Sequence, residues 1–190
     1  QLGDTLLLTG FSRGGALARR FAKILEPLIS NNVYVCVFDT VASIGLSKVS
    51  KATRGAEHVI FENHTIANNI SQALHCVAID EKRRAFEPTL MNHQNNITEL
   101  WFAGAHSDIG GGYYRDGLAD ICLRYALEWI IEQPLAISLL TSHDINYKTL
   151  LPDSNLIAQD DLTVIPDSLA LSHQQNYFWL NSFFKLVDRE

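Results

Sequence analysis

The chain has 190 residues, 47% of them hydrophobic and 19% charged, with a formal net charge of -6. That length is about one domain, and the balance is too apolar for a disordered chain. The negative charge excludes a polybasic surface for nucleic acid or anionic lipid headgroups, and without a run of about 18 apolar residues or a basic-then-apolar leader, neither a transmembrane segment nor a secretion signal is expected.

In chain order, Thr5 to Thr9 reads as a first strand. It arrives almost directly after Gln1, so a fragment of a larger fold is expected. Leu17, Phe21, Ile24, Leu25 and Leu28 then recur at helical spacing with Arg19, Arg20 and Lys23 between them, giving one apolar and one solvated face up to a stop or kink at Pro27. Val33 to Phe38 is apolar without alternation, as expected for a strand buried on both faces, and Asp39 follows it. Ile66, Ile70 and Leu74 keep helical spacing, so a helix is expected there, followed by the polar stretch Ala78 to Pro88. A third strand is expected at Thr98 to Ala103, running into Gly104-Ala105-His106-Ser107-Asp108 and then Gly110 to Gly112. Leu118, Ile121, Cys122, Tyr125 and Trp129 mark a strong amphipathic helix beyond them.

Short apolar runs alternating with helical patterns are the mark of an α/β fold, a mostly parallel sheet flanked by helices. The expected organisation is a single domain over 1–190, with the less periodic stretch 134–190 as a variable tail, a lid or an anchor. Cys36, Cys76 and Cys122 lie far apart in apolar segments, which fits buried small hydrophobes and neither a disulfide framework nor a zinc site.

The chemistry-bearing motif is Gly10-Phe11-Ser12-Arg13-Gly14, of the form G-x-S-x-G. Composition alone produces that pattern in about one chain of this length in twenty. Its place between a strand and a helix is what gives it weight, because a serine on that turn presents its hydroxyl at the end of the sheet. The helix start beside it offers the Arg13 N–H and partial positive charge to a developing oxyanion. The competing reading is a serine that caps the helix in a glycine-rich turn. A serine nucleophile needs a base. Of the seven histidines, His106 alone follows an apolar strand, whereas His58, His64, His75, His93, His143 and His173 lack that setting. Asp39 is the leading acid because it too ends a buried strand, with Asp108 and Asp80 as competitors and a helix cap before Val41 as its plainer role. The order Ser12, Asp39, His106 is that of α/β-hydrolases, and three strand ends converge on one crevice in such sheets. The glycines at 110–112 read as a tight turn or as a hinge over the site.

The segments "TGFSRGGALARRFA", "VFDTVASIG", "AIDEKRRAFEP" and "WFAGAHSDIGGGY" followed by "LADICLRYALEW" resemble the successive motifs of the α/β-hydrolase-like domain family that includes phospholipase effectors of bacterial type VI secretion. The resemblance covers about residues 5–130 and lies in the C-terminal part of the family's fold, without its upstream strands and D-G-T motif. It implies a Ser12, His106, Asp39 triad that hydrolyses fatty-acyl esters of phospholipids through an acyl-enzyme, with Arg13 N–H in the oxyanion hole and no cofactor or metal. It also implies a protein made in the cytoplasm of one bacterium and delivered to a rival's envelope, with secretion-apparatus and immunity proteins as partners and transient membrane contact. The residues themselves leave two alternatives open: an inert hydrolase-like binding module, and a hydrolase of a non-lipid ester.

Overall fold

A computed structural model describes residues 4–30, 32–42, 66–83, 86–139 and 163–173. Four strands, β1 (Leu6–Phe11), β2 (Val33–Phe38), β3 (Ile70–Ala78) and β4 (Ile97–Phe102), form one sheet in the order β1-β2-β3-β4. Every neighbouring pair is parallel, and parallel neighbours require crossovers rather than hairpins. The helix α1 (Arg13–Leu25) makes the first crossover, while α2 (His106–Gly110) and α3 (Gly117–Glu132) follow β4. This is the α/β architecture expected from the sequence, a parallel sheet flanked by helices.

The two faces of β2 feed two cores. Val33, Val35 and Val37 pack with Ala18 and Ala22 of α1, whereas Tyr34 and Cys36 pack with Leu74, Cys76 and the α3 residues Cys122, Ala126, Trp129 and Ile130. A strand covered on both sides has no solvated face to alternate with, which is why its sequence is continuously apolar. All three cysteines are buried and unpaired, and burial together with neighbouring Cys76 pushes the Cys36 thiol up to about 12.

Two expectations are overturned. The stretch expected to be a helix through Ile66 and Leu74 is instead the strand β3 from Ile70. A spacing of four is a multiple of the strand period as well as close to a helical turn, so it discriminates poorly. A register shift between β2 and β3 then places Ile70 in the core on the α1 side and Leu74 in the core on the α3 side.

The second concerns α1, which ends at Leu25, two residues before Pro27, and buries the face opposite to the expected one. Gly15, Ala16, Ala18, Arg19 and Ala22 face inward, while Leu17 is 70% and Leu28 69% exposed, with Phe21 and Ile24 also outward. At Gly10 and Gly15 the start of α1 leaves no room for even a Cβ against the Gly14 backbone and Thr40, and a helix held that close favours small side chains on its inner face. Arg19, expected in solvent, is buried; it donates from Nη1 to Thr89 O at 2.6 Å and from Nη2 to Leu90 O at 3.3 Å. Burial brings its guanidinium down to about 10, against the opposing charge of Glu99.

Candidate active site

β1 passes into α1 through Ser12, whose φ of 57° and ψ of -122° lie where a side chain is strained. Backbone bonds hold it there. Ser12 N–H donates to Phe38 O at 2.9 Å, and Ser12 O accepts from Val41 N–H at 3.2 Å and Gly15 N–H at 3.1 Å. The turn also requires close backbone approach. A Cβ on Gly10 would run into the carbonyl of Gly14, and one on Gly15 would meet Thr40 Oγ1 at 2.6 Å, whereas one on Gly14 would enter open space. Of the two motif glycines only Gly10 is therefore sterically required, and Gly15, outside the motif, joins it. The Ser12 side chain makes no capping bond to α1, so the plain capping role does not describe it. Arg13 is the first residue of α1, and its N–H belongs to the first-turn set that has no intrahelical acceptor.

Asp39 follows β2 with φ 33° and is fully buried. Its Oδ1 accepts Ala78 N–H at 3.0 Å and its Oδ2 lies 2.6 Å from His106 Nδ1, 67 residues away in sequence. A carboxylate so placed accepts the Nδ1–H and leaves Nε2 as the basic nitrogen. The other two candidate acids serve elsewhere. Asp80 Oδ2 accepts Gly104 N–H at 2.7 Å, and Asp108 accepts Ala105 N–H at 2.9 Å and pairs with His173 Nδ1 at 2.6 Å.

His106 opens α2 and is 4% exposed. Its ring touches Phe11, at 4.4 Å between centroids and 37°, and Phe86, edge-on at 4.8 Å. Its N–H donates to Glu81 Oε2 at 3.3 Å. Glu81 is in turn gripped by Arg83, whose Nε and Nη2 donate to Oε1 at 2.9 Å and Oε2 at 2.7 Å, and the guanidinium stacks 3.6 Å above Phe86. Burial pushes the Glu81 carboxyl up, but the bonds and charge of Arg83 outweigh it and hold the group below its usual range. Glu81, Arg83 and Phe86 of the polar stretch thus wall His106 on one side.

The structure therefore joins Asp39 to His106 directly. It brings Ser12 next to them through Phe11, the residue before Ser12, with no hydrogen bond from Ser12 Oγ to His106 among the described residues. In unliganded hydrolases such a bond is often long and tightens only with substrate. His58, His64 and His143 lie outside the described residues, as does most of the stretch after Pro134. Within that stretch, Asp167 N–H donates to Gly117 O at 3.1 Å, and His173 is stacked on Tyr113 at 3.9 Å, so residues 163–173 lie against the start of α3 and the loop before it. Gly111 and Gly112, with φ of 80° and 112°, shape that loop.

Sequence reasoning missed His75. It sits inside β3, fully buried, with Nδ1 2.8 Å from Glu99 Oε2 and Nε2 accepting Thr40 N–H at 3.0 Å. The signal was an imidazole in an otherwise apolar strand, whose partner appears only once β3 and β4 are set in register. Among the described residues no cluster of three or more His, Cys, Asp or Glu could hold a metal ion, and no helix is long and apolar enough to cross a membrane.

The family described as T6SS, Phospholipase effector Tle1-like, catalytic domain, matches residues 30–133, a span that holds Asp39 and His106 and begins after Ser12. A solved structure of an uncharacterized protein from Pseudomonas aeruginosa matches with a TM-score of 0.53 and 22% identity, over 69% of this chain and 24% of that one. A structure of the Tle1 effector bound to the VgrG spike from the type 6 secretion system matches with a TM-score of 0.41 and 28% identity, over 59% of this chain and 26% of that one. The chain thus spans about a quarter of the length of these two solved structures. No curated protein matches it.

Proposed function

The chain belongs to the family of Tle1-like phospholipase effector catalytic domains of type VI secretion, and from that premise we propose that it is a serine hydrolase acting on the fatty-acyl esters of phospholipids. The observation that carries the reading is the 2.6 Å contact between Asp39 Oδ2 and His106 Nδ1, made by two residues that follow different strands of one parallel sheet, beside the strained serine that ends a third. Such a carboxylate fixes the imidazole tautomer and stabilises the imidazolium that forms during reaction.

In the mechanism, Ser12 Oγ attacks the ester carbonyl and His106 Nε2 takes its proton. The tetrahedral oxyanion is received by the Arg13 N–H at the start of α1, where the helix adds partial positive charge. His106 returns the proton to the departing lysophospholipid alcohol, leaving an acyl-serine. Water, deprotonated by the same imidazole, then releases the fatty acid and regenerates Ser12. Phe11 and Phe86 keep the ring edge-defined and dry, which strengthens the Asp39–His106 pair. As an effector the whole protein would meet the secretion apparatus on its way out, an immunity protein in its own lineage, and the envelope phospholipids of the cell it enters.

Fluorophosphonate labelling, with the modified residue mapped by mass spectrometry, tests the reading. Labelling confined to Ser12 and absent from Ser12→Ala and His106→Ala is expected, together with fatty-acid release from phosphatidylethanolamine vesicles. A folded chain that never labels, with a Ser12→Ala variant as effective as the parent against target cells, would make it a binding module instead.

A further inference from the structure

We propose that His75, held by Glu99, is a positioning residue that locks the peptide after Asp39 and so aims the Asp39 carboxylate at His106; this rests on the triad reading above. Thr40 N–H can only donate, so His75 Nε2, 3.0 Å away, must be unprotonated. The ring proton is then on Nδ1, and it is given to Glu99 Oε2 at 2.8 Å. Glu99, the register partner of His75 on β4, also accepts Met91 N–H at 2.9 Å, which fixes it in place. The charged groups around the ring are Glu99 from β4, Arg19 from α1 and Asp39 after β2, and burial above all keeps the imidazole below its ordinary 6.5, in the neutral form this geometry needs.

The position of Thr40 is what gives this bond a consequence for chemistry. Asp39 has φ 33°, a conformation that persists in a residue with a side chain only when its surroundings over-determine it. Four contacts do so. Asp39 N–H donates to Cys76 O at 2.6 Å, Thr40 O accepts Thr89 N–H at 2.7 Å, and Asp39 Oδ1 accepts Ala78 N–H at 3.0 Å. The fourth, Thr40 N–H to His75, is the only one of them that depends on another residue's side chain and its tautomer. Without an acceptor at that point the buried Thr40 N–H is left unpaired against the other three contacts, and the Asp39–Thr40 peptide shifts to relieve it, which displaces Oδ2 from His106 Nδ1. His75 and Glu99 thus form a second histidine–carboxylate pair, one layer behind the first, whose product is geometry rather than proton transfer.

Three measurements on the full chain test this. In the wild type, nitrogen-15 NMR of the His75 ring should show Nδ1 protonated and Nε2 as a bare acceptor; a proton on Nε2 would overturn the proposal, with no variant needed. The variants are His75→Gln, which keeps an acceptor near Nε2, and His75→Asn, which reaches Glu99 but falls short of Thr40. His75→Asn should lose the low-field His106 Nδ1–H resonance and label at Ser12 about 100-fold more slowly, the order expected for a misplacement of about 1 Å, while His75→Gln keeps the resonance and most of the rate. A purely structural role would instead lower the melting midpoint and the labelled fraction while the native fraction reacted at the wild-type rate; that pattern, or an unchanged resonance in His75→Asn, overturns the proposal. Should the wild type show the resonance yet never label, the hydrolase reading fails by itself and the resonance in the two variants still decides the role of His75.

Discussion

Replacing Asp39 by Asn changes one heavy atom of the buried carboxylate, and the structure says which way the new amide turns. Oδ1 faces Ala78 N–H, which can only donate, and Oδ2 faces His106 Nδ1. If the amide oxygen stays on Ala78 N–H, its NH2 donates to His106 Nδ1, every bond is kept, and the imidazole proton is driven onto Nε2. That tautomer cannot take the proton of Ser12. The opposite orientation restores the useful tautomer but sets two buried donors against each other, at about 1–3 kcal/mol, or roughly a ten- to hundredfold loss of population. The missing charge on the forming imidazolium adds the rest, and together they reach about 10⁴-fold in kcat, or about 5.5 kcal/mol of transition-state stabilisation. Stability should barely change, because the favoured orientation leaves no group unpaired. The assay is the rate of fluorophosphonate labelling at Ser12 beside fatty-acid release from vesicles, with urea denaturation as the control. A folded Asp39→Asn chain reacting within tenfold of the parent would refute the assignment of Asp39 as the triad acid.

Ser12→Gly should abolish labelling yet raise stability by about 0.5–2 kcal/mol, since the strain of about 1–3 kcal/mol at φ 57° is relieved and only partly offset by the more flexible unfolded chain; urea midpoints measure it. Gly10→Ala should cost about 3 kcal/mol or more, because its Cβ meets the Gly14 backbone, which has nowhere to go, whereas Gly14→Ala, in open space on the first turn of α1, should be neutral or stabilising by up to about 1 kcal/mol. His75 gives a pH dependence of definite sign. Burial lowers its pKa on folding, so the native state binds the proton less readily than the unfolded chain, and the stabilisation is complete above 6.5 and is lost as pH falls below it. The difference in unfolding free energy between wild type and His75→Gln should shrink below pH 6.5 with a slope of up to about 1.4 kcal/mol per pH unit, read from denaturation at a series of pH values. Native Cys36, its thiol pushed up to about 12, should resist alkylation at pH 8 until denaturant is added, as followed by mass spectrometry.

What was legible in the sequence follows a physical rule. Strand-end residues could be read because the elements that carry them announce themselves locally: β2 as an unbroken apolar run, β4 as a short one, and each followed at once by Asp39 or by the loop to His106. The wrong readings arose where tertiary geometry overrode local pattern. The leucine stripe of α1 satisfies helical periodicity perfectly well, yet periodicity says only that one face differs from the other, not which of them the sheet accepts; the close approach set by Gly10 and Gly15 chose the alanines and Arg19. β3 was hidden because a spacing of four fits both periods and because Ser71, Gln72 and His75 interrupt the unbroken apolar run that a strand buried on both faces would otherwise show. His75 shows the same limit at a single residue. An imidazole within "ISQALHCVA" has no reason to be there until β4 is laid beside it and Glu99 falls opposite, and until β2 brings Thr40 to its other nitrogen. Groups that perform chemistry must reach a crevice and therefore sit at the ends of elements, where sequence punctuation exposes them. Groups that hold those groups still sit inside the sheet, where only pairing between strands reveals a purpose, and it is there that substitutions seemingly remote from the reaction should be sought when activity is lost without loss of fold.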